Sequence, residues 1–151
     1  MIRVLISALL ISILPILSQA EGLKNSTLDA WQAEPLRVLN PIELKLSDFL
    51  WEARPIIIFA NTANDPRVET QLKYLLENEA DLLERDIVII VDTDPSLASE
   101  LRLKLRPRDF QLVLIGKDGG VKLRKPRPWS MRELSRVIDK MPIRKQEIAA
   151  E

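Results

Sequence analysis

The strongest constraint on the fold comes from two short runs of large apolar residues. The first run is Ile56-Ile57-Ile58-Phe59-Ala60, and the second extends from Ile87 to Val91. Neither run alternates with polar residues, which indicates strands that are covered on both faces. Because such strands need helices above and below the sheet, the chain is predicted to be an α/β domain. The strands are predicted at 56–60 and 87–92.

Three helices are expected, and each begins at a side chain that can cap its first turn. Asp65 and Asp94 each precede a proline, which suits the first position of a helix. Ser130 and Glu133 have the spacing of a capping box. The helices are predicted at 66–84, 95–104 and 130–140.

A hairpin is expected between the second and third helices. Lys117-Asp118-Gly119-Gly120 is a turn sequence that would join strands at 110–115 and 121–124. Helical crossovers predict that the first two strands are parallel, whereas a tight turn joins antiparallel strands. The predicted order is β-α-β-α-β-β-α, with a central mixed sheet of about four strands and flanking helices.

The first twenty residues have the three-part pattern of a secretory signal peptide. Arg3 gives a positive start, residues 4–17 are almost entirely apolar, and Ser18-Gln19-Ala20 supplies small residues for cleavage. The apolar run is shorter than the ~20 residues that span a membrane. We therefore expect cleavage after Ala20, export to the periplasm or beyond, and no transmembrane segment in the mature chain. The predicted organisation is a signal peptide at 1–20, a leader at 21–46, one domain at 47–142 and a loose, charged C-terminal tail at 143–151.

The composition excludes thiol redox chemistry, and it removes the usual residue for acid–base catalysis and metal binding. The chain contains no cysteine and no histidine. Disulfide exchange requires a thiolate nucleophile, so thiol redox activity is excluded. Histidine is the usual acid–base group near neutral pH and a common metal ligand. No catalytic residue, metal ligand or cofactor is therefore predicted.

Several stretches resemble an uncharacterised thioredoxin-like family, found in short exported bacterial proteins and in extracellular sushi-repeat proteins. The matching stretches are RPIIIFA, RDIVIIVDTDP, LVLIGKDGGVKLRKP and PWSMREL. The resemblance covers about residues 42–145, and it implies a thioredoxin-like fold and export but no established reaction. Thioredoxins carry Cys-x-x-Cys directly after the first buried strand, where this chain reads Asn61-Thr62-Ala63-Asn64-Asp65-Pro66. The resemblance therefore implies the fold without its redox site.

The loop at that position holds the first candidate binding residues, which are Asn61, Thr62 and Asn64. Amides and a hydroxyl above a helix amino terminus can hold an anion or a peptide backbone. The alternative is an ordinary turn in which Asp65 caps the helix.

Asp92 and Asp94 lie at the carboxyl end of the second strand, where α/β proteins often bind ligands. Two carboxylates at this spacing could contact a cation, but no third ligand is evident. The alternative is a strand-ending turn in which Asp94 caps the next helix.

The second candidate group is basic. Residues 21–101 carry a net charge of −9, whereas residues 102–127 carry +7. The candidate binding residues in this stretch are Arg124, Lys125, Arg127 and Trp129, because a tryptophan can stack on a partner that cations attract. They are expected to form one positive region with Arg102, Arg106, Arg108 and Lys122, and Trp129 is expected at its border. The alternative is a solvated face, with Trp129 packed on the last helix.

These observations favour an exported, redox-inactive binding or adaptor domain. Its expected partner is an acidic protein or an anionic envelope component, and not a nucleic acid. Two alternatives remain open: a cysteine-independent enzyme that uses the Asn61–Asp65 loop with Asp92, and a structural subunit that pairs through its apolar leader.

Overall fold

The computed structural model describes residues 26–42 and 44–151, so the predicted signal peptide and the start of the leader lie outside the described residues. The helices are α1 Ser26–Ala33, α2 Pro66–Leu76, α3 Glu79–Glu84, α4 Glu100–Leu105, α5 Met131–Ile138 and α6 Pro142–Ala150. The strands are β1 Val38–Leu39, β2 Arg54–Phe59, β3 Ile87–Asp92, β4 Gln111–Ile115 and β5 Val121–Lys125, and 3₁₀ turns span Leu46–Phe49 and Pro95–Leu97. Within the described residues, every helix is too short or too polar to serve as a membrane span.

The strands form one mixed sheet in the order β1-β3-β2-β4-β5. Strand β3 is parallel to β1 and β2, and β4 is antiparallel to β2 and β5. The predicted fold class and strand directions are confirmed. The fifth strand, β1, comes from the leader, where two residues are too few to show a sequence period.

The sheet separates two apolar layers, which explains why β2 is buried along its whole length. Ile57 faces a layer that contains Trp31 of α1 and Leu101 of α4. Ile56 and Ile58 face the opposite layer, which α2, α3 and α5 cover. Successive strand residues point to opposite faces, so a continuous apolar run meets helices on both sides.

Two predicted helices are divided in the structure. The helix expected at 66–84 breaks at Asn78, a weak helix former, whose carbonyl accepts the first hydrogen bonds of α3. The helix expected at 95–104 is interrupted by Ala98, which has a left-handed conformation with φ 43°. Asp94 caps the 3₁₀ turn that precedes this break, and Ser99 caps α4 after it. Both capping residues can be read in the sequence, but only Asp94 was predicted as a cap.

The segments on either side of the predicted domain belong to the fold. Trp31 of the leader is buried in the first apolar layer, and β1 extends the sheet. The prediction of a loose tail at 143–151 is wrong, because residues 143–150 belong to α6 and Arg144 is buried. The charges that suggested a solvated tail instead pair with charges of the domain, as Arg144 does with Glu84 at 2.6 Å.

Candidate binding surface

The two groups of candidate residues lie at the same end of the sheet. Phe59 ends β2 and pairs with Asp92 at the end of β3 and with Gln111 at the start of β4. Lys125 ends β5 opposite Leu112 of β4. The carboxyl ends of β2 and β5 are therefore about 10 Å apart, since two strand spacings of ~4.8 Å separate them, and the two segments continue from these ends. We call these two segments together the carboxyl-end surface; their candidate residues are Asn61, Thr62, Asn64, Arg124, Lys125 and Arg127.

The loop after β2 is exposed and forms a simple turn. The hydroxyl oxygen of Thr62 accepts a hydrogen bond from the Asn64 N–H at 3.3 Å. The amide side chains of Asn61 and Asn64 are exposed and make no hydrogen bond with other described residues. These amides, together with the Thr62 O–H, are available to a partner.

The helix amino terminus beneath this loop is already occupied by a carboxylate. Asp65 accepts the Arg67 N–H at 2.9 Å and also pairs with the Arg67 guanidinium at 2.6 Å. Arg67 contacts Asp109 at 3.0 Å and stacks on the ring of Phe110. These bonds from Arg67 lower the pKa of Asp65 and of Asp109 below their usual values. The structure therefore matches the alternative in which Asp65 caps α2. The N–H groups in the first turn of α2 are not free to bind an external anion.

Asp92 is committed to an internal ion pair. Its side chain is 2% exposed and accepts hydrogen bonds from Arg102 Nε at 2.7 Å and from the Ser99 hydroxyl at 2.5 Å. Arg102 also donates to the Ala60 carbonyl and stacks over Phe59. Arg102 thus lies behind the loop and ties the ends of β2 and β3 to α4. The prediction that Arg102 belongs to a surface positive region is wrong, because its charge is buried with that of Asp92.

Asp94 does not join Asp92 in a site. It accepts from the N–H of Ser96 at 2.9 Å and from its hydroxyl at 2.6 Å, and these bonds lower the pKa of Asp94. No group of three metal-ligating side chains of the His, Cys, Asp or Glu type occurs within residues 26–42 and 44–151.

The basic residues of β5 point in different directions. Arg124 donates to the Leu105 carbonyl at 2.8 Å and to the Gln111 amide oxygen at 3.0 Å, which brings β5 against the end of α4. Lys125 points to the other face, since neighbouring strand residues alternate. Lys122 lies at the far end of the strand and pairs with Asp118 at 2.6 Å. The single positive region expected from sequence is therefore divided.

Trp129 is half-buried and fixed from both sides. Its backbone N–H and C=O bind the amide side chain of buried Gln71 at 2.8 and 2.9 Å. Its ring packs on the layer formed by α2 and α5, and Lys125 lies 4.1 Å above it. The capping box of Ser130 and Glu133 is also present. Trp129 thus acts as a packing residue whose ring holds Lys125, as the alternative interpretation expected.

The opposite end of the sheet carries a partly buried charge network around Arg54 that sequence reasoning missed. Arg54 is fully buried and donates to both carboxylate oxygens of Glu147, at 3.0 and 2.9 Å. Lys117 contacts Asp86 at 2.7 Å and Glu147 at 2.9 Å. Burial opposes ionisation of Glu147, but the bonds from Lys117 and Arg54 outweigh it and lower the pKa of this carboxyl. An arginine at the head of an apolar strand was the one local sign that a carboxylate must lie nearby.

The mixed sheet, the helices on both faces and the polar loop after β2 define a thioredoxin-like domain without a thiol. The chain belongs to the family described as a domain of unknown function (DUF4174), which it matches over residues 45–147. This membership confirms the resemblance to an uncharacterised thioredoxin-like family.

Two solved structures illustrate the similarity of fold. Reduced 2-Cys peroxiredoxin from Plasmodium vivax is 16% identical, with a TM-score of 0.52 over 70% of this chain and 85% of that chain. Reduced desulfothioredoxin from Desulfovibrio vulgaris Hildenborough is 22% identical, with a TM-score of 0.50 over 68% of this chain and 97% of that chain. At these identities the likeness concerns the fold alone.

A curated relative shows a similar sequence in a much longer protein. Coiled-coil domain-containing protein 80 from Danio rerio is 28% identical, and the match covers 72% of this chain and 16% of that relative. This chain thus corresponds to a small part of the relative's length.

Proposed function

We propose that this protein is an exported, redox-inactive binding module, and that its carboxyl-end surface holds an acidic polypeptide segment. The observation that carries the proposal is the loop that replaces Cys-x-x-Cys. It presents the side chains of Asn61, Thr62 and Asn64 to solvent, at the same end of the sheet as the basic exit from β5.

The chemistry of the two segments suits an extended acidic chain. The amides and the hydroxyl can bind peptide N–H and C=O groups. Arg124 and Arg127 are exposed and can attract carboxylates through their summed field. Export follows from the signal pattern at 1–20 and remains part of the proposal.

The enzyme alternative is less well supported. It requires Asp92 to reach a ligand, but Asp92 is buried against Arg102 and Ser99. Among the described residues, the Thr62 hydroxyl donates a hydrogen bond to no side chain that could activate it as a nucleophile.

The test is binding of a labelled poly-glutamate peptide by fluorescence anisotropy at several salt concentrations. Charges on both partners are screened over ~8 Å at physiological ionic strength, so the affinity should fall steeply as salt rises. Replacing Arg124, Lys125 and Arg127 together with glutamine should weaken binding strongly. An Asn61→Ala/Asn64→Ala variant should weaken it at all salt concentrations, because its contacts are uncharged.

The matched control replaces three exposed lysines elsewhere, Lys73, Lys140 and Lys145, with glutamine. It removes the same charge but leaves the carboxyl-end surface intact, so its affinity should stay close to that of the wild type. Equal losses in the two triple variants would mean that net charge, and not this surface, determines binding. Vesicles with and without anionic lipid form a second arm, and preferential vesicle binding would overturn the acidic-polypeptide assignment.

A further inference from the structure

We propose that the amino end of the sheet contains a second binding site, for a tetrahedral oxyanion such as a phosphate group. A cavity of about 130 Å³ lies between the β4–β5 hairpin and the start of α6. Its wall includes Arg54, Lys117 and Lys122 and a single carboxylate, Asp118. The site is at the opposite end of the domain from the carboxyl-end surface, and the two proposals are independent.

The three cations of this cavity have N–H groups that no other described residue accepts. Arg54 Nε is buried and has no partner among the described residues, although both terminal nitrogens of the same guanidinium are bonded. An ammonium group has three N–H donors. Lys117 uses two of them, on Asp86 and Glu147, and Lys122 uses one, on Asp118. The Arg54 Nε is closed to solvent, so Arg54 contributes its positive charge to the cavity, and the N–H donors left for a ligand are those of the two lysines.

The start of α6 adds a further favourable feature. Pro142 and Ile143 lie in the cavity wall, and no side chain caps this helix. Unpaired N–H groups and the positive end of the helix dipole favour an anion at a helix amino terminus. Glu147, one and a half turns further along α6, is not part of the cavity wall, but it binds Arg54 and Lys117 and fixes their positions.

The dimensions select the class of ligand. At ~30 Å³ per water molecule, the cavity corresponds to about four waters, which is room for one phosphate or sulfate group. A nucleotide base would have to remain outside. The shared chemistry is therefore a tetrahedral oxyanion, either free or at the end of a larger molecule.

The test is a titration of the isotope-labelled native protein followed by NMR, with inorganic phosphate and with sulfate. Sodium chloride at equal ionic strength provides the reference. We expect saturable shifts of the backbone amides of Gly116 and Ile143 that chloride does not reproduce. Glycerol phosphate forms the second arm: binding equal to that of phosphate would indicate that the site accepts a phosphomonoester, and exclusion would indicate a free oxyanion.

Three variants locate the site. Lys122→Gln should weaken oxyanion binding about tenfold, the usual effect of losing one charged hydrogen bond. Asp118→Asn should strengthen binding, because it removes the carboxylate that competes for Lys122. Lys73→Gln is the matched control, since it removes the same charge from an exposed position on α2 that is not part of the cavity wall. The proposal is overturned if phosphate and sulfate produce no saturable shift at Gly116 or Ile143, or if Lys122→Gln and Lys73→Gln bind alike.

Discussion

Replacing Glu147 with glutamine should detach α6 from the sheet. Glu147 accepts two hydrogen bonds from Arg54 and one contact from Lys117. Glutamine keeps an acceptor but removes the charge, and it leaves the fully buried Arg54 guanidinium without a counter-ion.

The expected loss follows from burial. Removing one partner of a buried ion pair costs about 3–5 kcal/mol, and the 24% exposure of Glu147 places this pair at the lower end. We therefore expect a loss of about 3 kcal/mol, which lowers the melting temperature by about 10 °C for a domain of this size. Urea unfolding followed by circular dichroism measures the loss.

Two companion variants separate the charge effect from others. Glu151→Gln removes a carboxylate that is 67% exposed and 3.6 Å from Arg144, and exposed pairs contribute at most about 1 kcal/mol. The double variant Arg54→Met/Glu147→Met replaces the pair with apolar side chains and should recover most of the lost stability. If Glu147→Gln unfolds at the same urea concentration as Glu151→Gln, apolar contacts, and not the ion pair, hold α6.

The pH dependence of the same variant gives an independent check. The folded-state pKa of Glu147 lies below its usual value of 4.5. Its contribution is therefore fully present above about pH 4.5 and is lost as the pH falls through the folded pKa. The difference in unfolding free energy between wild type and Glu147→Gln should be constant near neutral pH and should narrow below pH 4.5. A difference that widened in acid would contradict this assignment.

Three further predictions concern the core, the chemistry and the processing of the chain. Ile58→Asp should cost more than about 4 kcal/mol, because Ile58 is fully buried in β2 and an unpaired charge there has no partner; a folded variant with a cooperative melt near that of the wild type would refute it. The purified protein should show no disulfide reductase, isomerase or peroxidase turnover, and activity that survives repurification would mean that the nucleophile was misjudged. Mass spectrometry of the native protein should find Glu21 at its amino terminus, whereas retention of residues 1–20 in a membrane fraction would contradict cleavage.

Much of the fold could be predicted because its signals are local. The run from Ile56 to Ala60 indicates a doubly covered strand wherever it occurs, and the hairpin turn contains Gly119, which has the positive φ of 76° that glycine tolerates. The helix breaks were harder to predict, because Asn78 and Ala98 compete with neighbouring residues that favour helix. The leader and α6 were missed because their stability comes from contacts with distant parts of the chain.

The candidate site could be predicted only in part. The loop of Asn61, Thr62 and Asn64 was located correctly relative to the first strand, since its position follows from chain order. Its proximity to the exit from β5 required the strand order of the sheet. The sequence could not separate Arg102 from Arg124, although one is buried with Asp92 and the other is exposed.

By itself, the sequence determined the class of the domain and its lack of thiol chemistry. Strand burial, turns and caps depend on residues a few positions apart, and the absence of cysteine is a matter of composition. The tertiary structure alone decided which charges are free. Arg54 and Glu147 are 93 positions apart, and Arg124 and Lys125 are neighbours that face opposite sides of the sheet. A charged side chain forms an internal ion pair or stays free for a partner depending on which groups the fold places within hydrogen-bond distance of it. The local sequence does not contain that information.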